Sequence, residues 1–196
     1  KASVSLREDL DWASLRVAVQ GCGAIGSAVA RALVGEALSV GVSDIDRARA
    51  NSLASSLGQR SIAPDTFWSE DVHAIAPCAL GGVLDRTTLN AMTQASLVCG
   101  AANNILASPE TERALRERGI TWVPDVIASA GAVVRGIAKS VMRIDDPTPM
   151  VARLGDIAHD VLHEAQREGR LASEIVLDRV QARMSNASVA LQVLDD

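Results

Sequence analysis

Short runs of almost continuous apolar residues alternate along this chain with stretches in which apolar positions recur every three or four residues. After a polar lead containing LREDLDW, the apolar runs fall at 16–20 (RVAVQ), 38–43 (LSVGVS), 73–77 (HAIAP), 95–99 (ASLVC) and 120–123 (ITWV), with a weaker one near 60–63. Nearly all-apolar runs of this length predict strands covered on both faces, and the intervening 24–34, 46–57, 85–92 and 109–118 predict helices. Repeated strand–helix units of this kind imply an α/β fold, a Rossmann-like doubly wound parallel sheet.

Beyond residue 124 the strand pattern stops. DVIASAGAVVRGIAKSVMRI, 125–144, reads as helix, weakened by Gly131 and Gly136, each costing about 1 kcal/mol against alanine inside a helix. Pro147 and Pro149 punctuate the chain, after which Val151, Leu154, Ile157, Ala158, Val161 and Leu162 share one helical face. A last helix is expected near 172–184, past the Gly169 break. The resulting division is a sheet domain over 1–146 and a C-terminal helical extension over 147–196 that packs back on it.

Composition narrows the partners. The formal charge of −5 is spread along the 196 residues with no block of like charge, which argues against nucleic acid and acidic lipid and leaves a small-molecule substrate. No stretch is long and apolar enough to cross a membrane. Cys22, Cys78 and Cys99 form no CxxC pair, and no metal site is expected. They read as buried thiols of a reducing, cytoplasmic compartment. The chain starts at Lys1 rather than methionine, which suggests that something precedes it in the intact protein.

The candidate chemistry begins at VAVQGCGAIG, 17–26. In Gly21-Cys22-Gly23-Ala24-Ile25-Gly26 the first glycine permits a tight turn after the strand. The second lets the backbone approach a pyrophosphate, and the third lets the helix pack close. The helix that starts there points free N–H groups and its positive end at the anion. Asp44, at the end of the second strand and eighteen residues after Gly26, is placed to accept hydrogen bonds from an adenosine ribose and to repel a 2′-phosphate, favouring NAD over NADP. Arg47 and Arg49 keep the other choice open, their plainer reading being a solvated helix face.

Three further stretches, APCALGGVLDRTTL (76–89), VCGAANNIL (98–106) and ITWVPDVIASAGAVV (120–134), follow the glycine loop in order. Together the four resemble the coenzyme domain of the leucine/phenylalanine/valine/glutamate dehydrogenase family, over about residues 14–137. The resemblance implies a Rossmann domain binding NAD(H) in enzymes that interconvert an L-amino acid with its 2-oxo acid and ammonia. It puts Gly21, Gly23, Ala24, Ile25 and Gly26 at the pyrophosphate and Asp44 with Ile45 around the adenosine. Cys78, Ala79 and Leu80 would lie along the dinucleotide, and Ala101, Ala102 and Asn103 near the nicotinamide. Plainer readings are a turn for CALGG and an asparagine helix cap for GAANN.

The chain also departs from the family. Ser129-Ala130-Gly131-Ala132 stands where the family has an NAGG-like motif, and a hydroxyl lacks the paired donor and acceptor of an amide. His73 replaces an aspartate at the start of the fourth strand and reads as structural. The family's glycine-rich lysine motif is missing: the two lysines, Lys1 and Lys139, stand in no such context. Ser129 and Asp125 are the local candidates for acid–base work, though Asp125 reads first as a helix N-cap. His159 and His163 share a helical face without a third ligand and read as solvated.

The leading expectation is therefore an NAD-binding oxidoreductase domain whose catalytic half is supplied by a removed domain, a homo-oligomeric neighbour or a second chain. Two alternatives stay open. One is a stand-alone oxidoreductase acting on an imine or other small substrate, and the other a dinucleotide-binding module without turnover.

Overall fold

The structure is a computed structural model that describes residues 11–192, with side chains described through residue 185; most of the polar lead lies outside the described residues. The strands are β1 (Arg16–Gln20), β2 (Ser39–Ser43), β3 (Arg60–Ser61), β4 (Ala74–Pro77), β5 (Leu97–Val98) and β6 (Thr121–Trp122). They form one parallel sheet in the order β3-β2-β1-β4-β5-β6. The chain winds outward from β1 to one side and then returns to β4 on the other. This reversal opens a crevice at the carboxyl ends of β1 and β4.

Helices α1 (Ala24–Leu33), α2 (Arg47–Leu57), α3 (Arg86–Ala91) and α4 (Pro109–Glu117) make the crossovers. Local chemistry fixes several of their ends. Asp46 caps α2 by accepting from the Arg49 N–H, and Gly58 closes it at φ 63°. Asp85 and Thr88 form a reciprocal capping box at α3. The remaining helices are α5 (Asp125–Ala128), α6 (Ala130–Ile137), α7 (Thr148–Glu168) and α8 (Ala172–Gln192).

Apolar side chains cover both faces of the sheet. Val17, Val19, Val40 and Val42 face one core with Ala30, Leu53, Val161, Leu162 and Ile175, which come from α1, α2, α7 and α8. Ala18, Ile75 and Val98 face the other with Phe67, Leu84, Leu89, Met92, Ile105 and Leu115. Each fully buried Val, Leu, Ile or Phe contributes about 1.5–3 kcal/mol relative to exposure. The C-terminal helices thus complete one of the two cores.

Two expectations need correction. The 125–144 stretch is not one helix: Ser129 interrupts it at φ −93°, ψ −8°, and α6 ends at Ile137. Gly131 lies on the side of α6 that faces α7, where an added Cβ would meet Val151 at 3.4 Å and Leu154 at 3.8 Å, ordinary contact distances. The outer strands are also shorter than their apolar runs, two residues each in β5 and β6. Apolarity at Ala95 marks burial beyond the strand end, and Val123 is likewise buried while its N–H adds one bond to the Val98 carbonyl past the paired residues.

Candidate functional site

At the crevice, Gly21 leaves β1 with φ 91° and donates its N–H to the Ser43 carbonyl at 2.7 Å. A side chain there would press on Ala79 at 2.9 Å, and one at Gly26 would sit 1.9 Å from the Gly21 carbonyl oxygen and 3.3 Å from Cys78 Cβ. Gly23 differs. It is the exposed N-cap of α1, without a side-chain cap, and a Cβ added to it would meet nothing within 4 Å. Two glycines are thus required by the protein's own packing, and the middle one faces open space.

Asp44 closes one end of this loop. Its Oδ2 accepts from the Cys22 N–H at 2.7 Å and its Oδ1 from the Asp46 N–H at 2.9 Å, while Arg49 Nη1 approaches at 3.5 Å. Desolvation, the largest influence, raises its pKa, but the hydrogen bonds from Cys22 and Asp46 and the Arg49 charge outweigh it and hold the carboxyl below its ordinary value. Arg49 therefore does more than coat a solvated face: it turns toward both Asp44 and Asp46.

The loops after β4 and β5 lock together by backbone. Gly82 donates to the Asn104 carbonyl at 2.6 Å, Leu84 to Ile105 at 3.0 Å and Ala107 to Leu84 at 2.9 Å. A Cβ at Gly81 would lie 2.5 Å from the Asn103 carbonyl oxygen, and one at Gly100 2.0 Å from that of Pro77. Asn104 takes φ 52°, unusual without glycine. CALGG and GAANN are thus two halves of one interlocked feature, and the cap before α4 is Ser108 rather than an asparagine.

In the segments that follow β1, β2 and β4 stand exposed apolar side chains: Ile25 at 54%, Ile45 at 91% and Leu80 at 72%. Ala24, Ala79 and Asn103 are exposed, and Ala101 and Cys78 half-buried. Ala102 instead faces the core, donating its N–H to the Pro77 carbonyl at 3.1 Å. Ser129 is half-buried at the α5–α6 junction, with its N–H on the Asp125 carbonyl at 2.8 Å. Asp125 is no N-cap. Pro124 holds that position, and the Asp125 carboxylate is buried and accepts the Ile105 N–H at 3.0 Å.

His73 is structural as expected, its Nδ1 accepting the Arg16 N–H at 3.1 Å at the amino ends of the central strands β1 and β4, away from the glycine turn. His159 and His163 stack at 6.2 Å on the outside of α7, and among the described residues no cluster suits a metal. Of the three free thiols only Cys22 is fully buried. Cys99 opens into an apolar cavity of about 260 Å³ beside Cys78, a correction to the expectation that all three are buried. Protein packed around it still pushes its thiol up to about 11. Desolvation likewise raises Cys22 to about 11, with Asp44 adding to the rise. Sequence reasoning missed Gln20, whose buried Oε1 at the end of β1 has no partner among the described residues; its position beside Gly21 was the available signal.

These features define a doubly wound α/β domain with an open glycine turn and a run of loops along the carboxyl edge of its sheet. The chain belongs to the Glutamate/Leucine/Phenylalanine/Valine dehydrogenase family, whose model matches residues 45–142. It is 29% identical over 176 residues to L-tryptophan dehydrogenase of Nostoc punctiforme, covering 88% of this chain and 49% of that protein. With leucine dehydrogenase of Bacillus subtilis it shares 33% over 118 residues, 60% of this chain and 32% of that one. The crystal structure of L-tryptophan dehydrogenase from Nostoc punctiforme superposes with a TM-score of 0.87 at 29% identity, over 95% of this chain and 57% of its own. The chain thus spans about half or less of the length of the curated relatives it matches. Among the described residues no helix is long and apolar enough to cross a membrane.

Proposed function

We propose that this chain is the coenzyme-binding part of an amino-acid dehydrogenase and that it binds NAD(H). The observation that carries this reading is Gly23, the position of the glycine turn where added atoms meet nothing, set at the amino end of α1 between an acid and two interlocked loops. A diphosphate there accepts from the free N–H groups of the first helical turn. Asp44 keeps lone pairs beyond its two backbone bonds for ribose hydroxyls. Its charge favours NAD over NADP, and Ile25, Ile45 and Leu80 supply apolar surface along the dinucleotide.

In this reading Cys78, Ala79, Ala101 and Asn103 flank the path toward the nicotinamide, and Ser129, at the α5–α6 junction, is the candidate hydroxyl for proton transfer. When bound, the dinucleotide supplies hydride acceptance; this chain holds and orients it. The described residues offer no lysine beside the loops, since Lys139 is exposed beyond the end of α6. Polarising the reacting carbonyl or imine therefore falls to another domain or chain. Exposed Val126, Val133 and Val141 give that partner an apolar face, which also supports an oligomer. The free thiols fit a cytoplasmic setting.

The test is calorimetric titration of the 196-residue chain with NAD and NADP, followed by nicotinamide absorbance with a panel of L-amino acids. The expected result is NAD binding tighter than NADP, and no turnover until a lysine-bearing domain of a relative is added. Turnover by the chain alone would establish a stand-alone oxidoreductase instead, and tighter NADP binding would show that Asp44 does not select the coenzyme.

A further inference from the structure

We propose that Asp125 is a positioning residue for the nicotinamide half of the dinucleotide, acting through the loop after β5; this rests on the coenzyme reading above. Asp125 is the first residue of α5, and it is 8% exposed. An acid in a first helical turn ordinarily serves its own helix's amides. Here Oδ2 instead accepts the N–H of Ile105, twenty residues upstream, at 3.0 Å. It reaches across the end of the sheet.

The loop has need of such a tether. β5 and β6 pair over two residues each; beyond Val98 the loop is held to β4 by the Cys99 N–H on the Ile75 carbonyl and the Ala102 N–H on the Pro77 carbonyl, and its Asn104 and Ile105 carbonyls accept from the loop after β4, but none of these bonds engages the Ile105 N–H. Ile105 is completely buried and follows the left-handed Asn104 at φ 52°. Its N–H is the buried donor that holds the strained turn against the α5 side, and a buried amide left unpaired is costly. Without the carboxylate, Asn104 gains a reason to relax out of its left-handed conformation, and Ala101 and Asn103 move with it. The adenosine end is built from different bonds, Cys22 to Asp44 and Gly21 to Ser43, and none of them involves Asp125. The two halves of the site are therefore separable by mutation.

The experiment compares Asp125→Ala and Asp125→Asn in the 196-residue chain, titrated with NADH and with ADP-ribose, which lacks the nicotinamide. Asp125→Ala is expected to weaken NADH by about tenfold or more while ADP-ribose changes by less than about twofold, in line with loss of a charge-assisted hydrogen bond. Asp125→Asn keeps a carbonyl acceptor and should stay within about threefold of the parent for both ligands. Hydrogen exchange at the Ile105 amide should accelerate in Asp125→Ala, be largely restored in Asp125→Asn, and leave the β1 amides unchanged in both. Equal weakening of both ligands would reduce Asp125 to a fold support, and unchanged NADH affinity or Ile105 protection would remove the tether altogether. If the parent chain binds neither ligand, the coenzyme reading itself fails. Parent binding with no selective loss in Asp125→Ala overturns this inference alone.

Discussion

The two ends of the crevice are built in different ways. At the β1–β2 end, five-residue strands in full register deliver the glycine turn and Asp44 to their places. At the β5–β6 end the strands contribute two residues each, and the loops are held by one another and by the buried Asp125. Where the ladder is long, geometry is inherited from the sheet; where it is short, the loop must carry its own hydrogen bonds and close glycine contacts. The first end should therefore be stiff and the second adjustable.

The hardest break comes from glycines that the packing forbids to change. Gly26→Ala and Gly100→Ala each put a Cβ against a backbone oxygen, at 1.9 Å and 2.0 Å. Each should destabilise by about 3 kcal/mol or more, beyond ordinary overpacking because backbone must move; denaturant midpoints would show it. Next is Asp44→Ala, which leaves the Cys22 and Asp46 amides without their acceptor. A loss of about 1.5–3 kcal/mol of stability is expected, the usual range for bonds to a charged group, and NAD should weaken more than NADP, because for NADP the lost bonds are offset by removal of a charge that repels the 2′-phosphate.

Acid sharpens the same point. The Asp44 carboxyl is held below its ordinary value, so its stabilisation is complete above that value, about 3.9, and is lost as pH falls through the lowered one. Acid unfolding of the parent chain should therefore be steeper than that of Asp44→Asn; identical curves would mean that the carboxylate adds no pH-dependent stability. A smaller effect on folding comes from Gly23→Ala, where nothing lies within 4 Å. Stability should shift by no more than about 1 kcal/mol, while dinucleotide affinity falls, a separation that calorimetry and melting read independently. Smallest is the thiol effect: Cys99, open to its cavity but pushed up to about 11, should alkylate slowly near pH 7. Its rate should rise about tenfold per pH unit as thiolate forms.

The stiff end was the legible one. Periodicity located β1, β2 and their helices within a residue, and the glycine spacing with Asp44 named the turn because each residue type there answers a local steric or electrostatic need. The other end was legible only as motifs. Nothing in GAANN or VPD announces that Asp125 bonds to Ile105, because that bond depends on how two crossovers meet in space. The split of 125–144 into two helices was hidden for a similar reason. Gly131 looked like a weak helix former and is a contact with α7. Arg49 is exposed, as a solvated helix face requires, but its ion pairs with Asp44 and Asp46 lie on the turn before its helix, out of reach of a face-by-face count.

The sheet's margins carry one last implication. Both β3 and β6, its outermost members, pair over two residues. So short a row of unpaired amides and carbonyls is a poor template for a visiting strand. Among the described residues, growth of the sheet into a neighbouring molecule is thereby discouraged, which turns attention to helices and loops as the surfaces through which copies of this chain would meet.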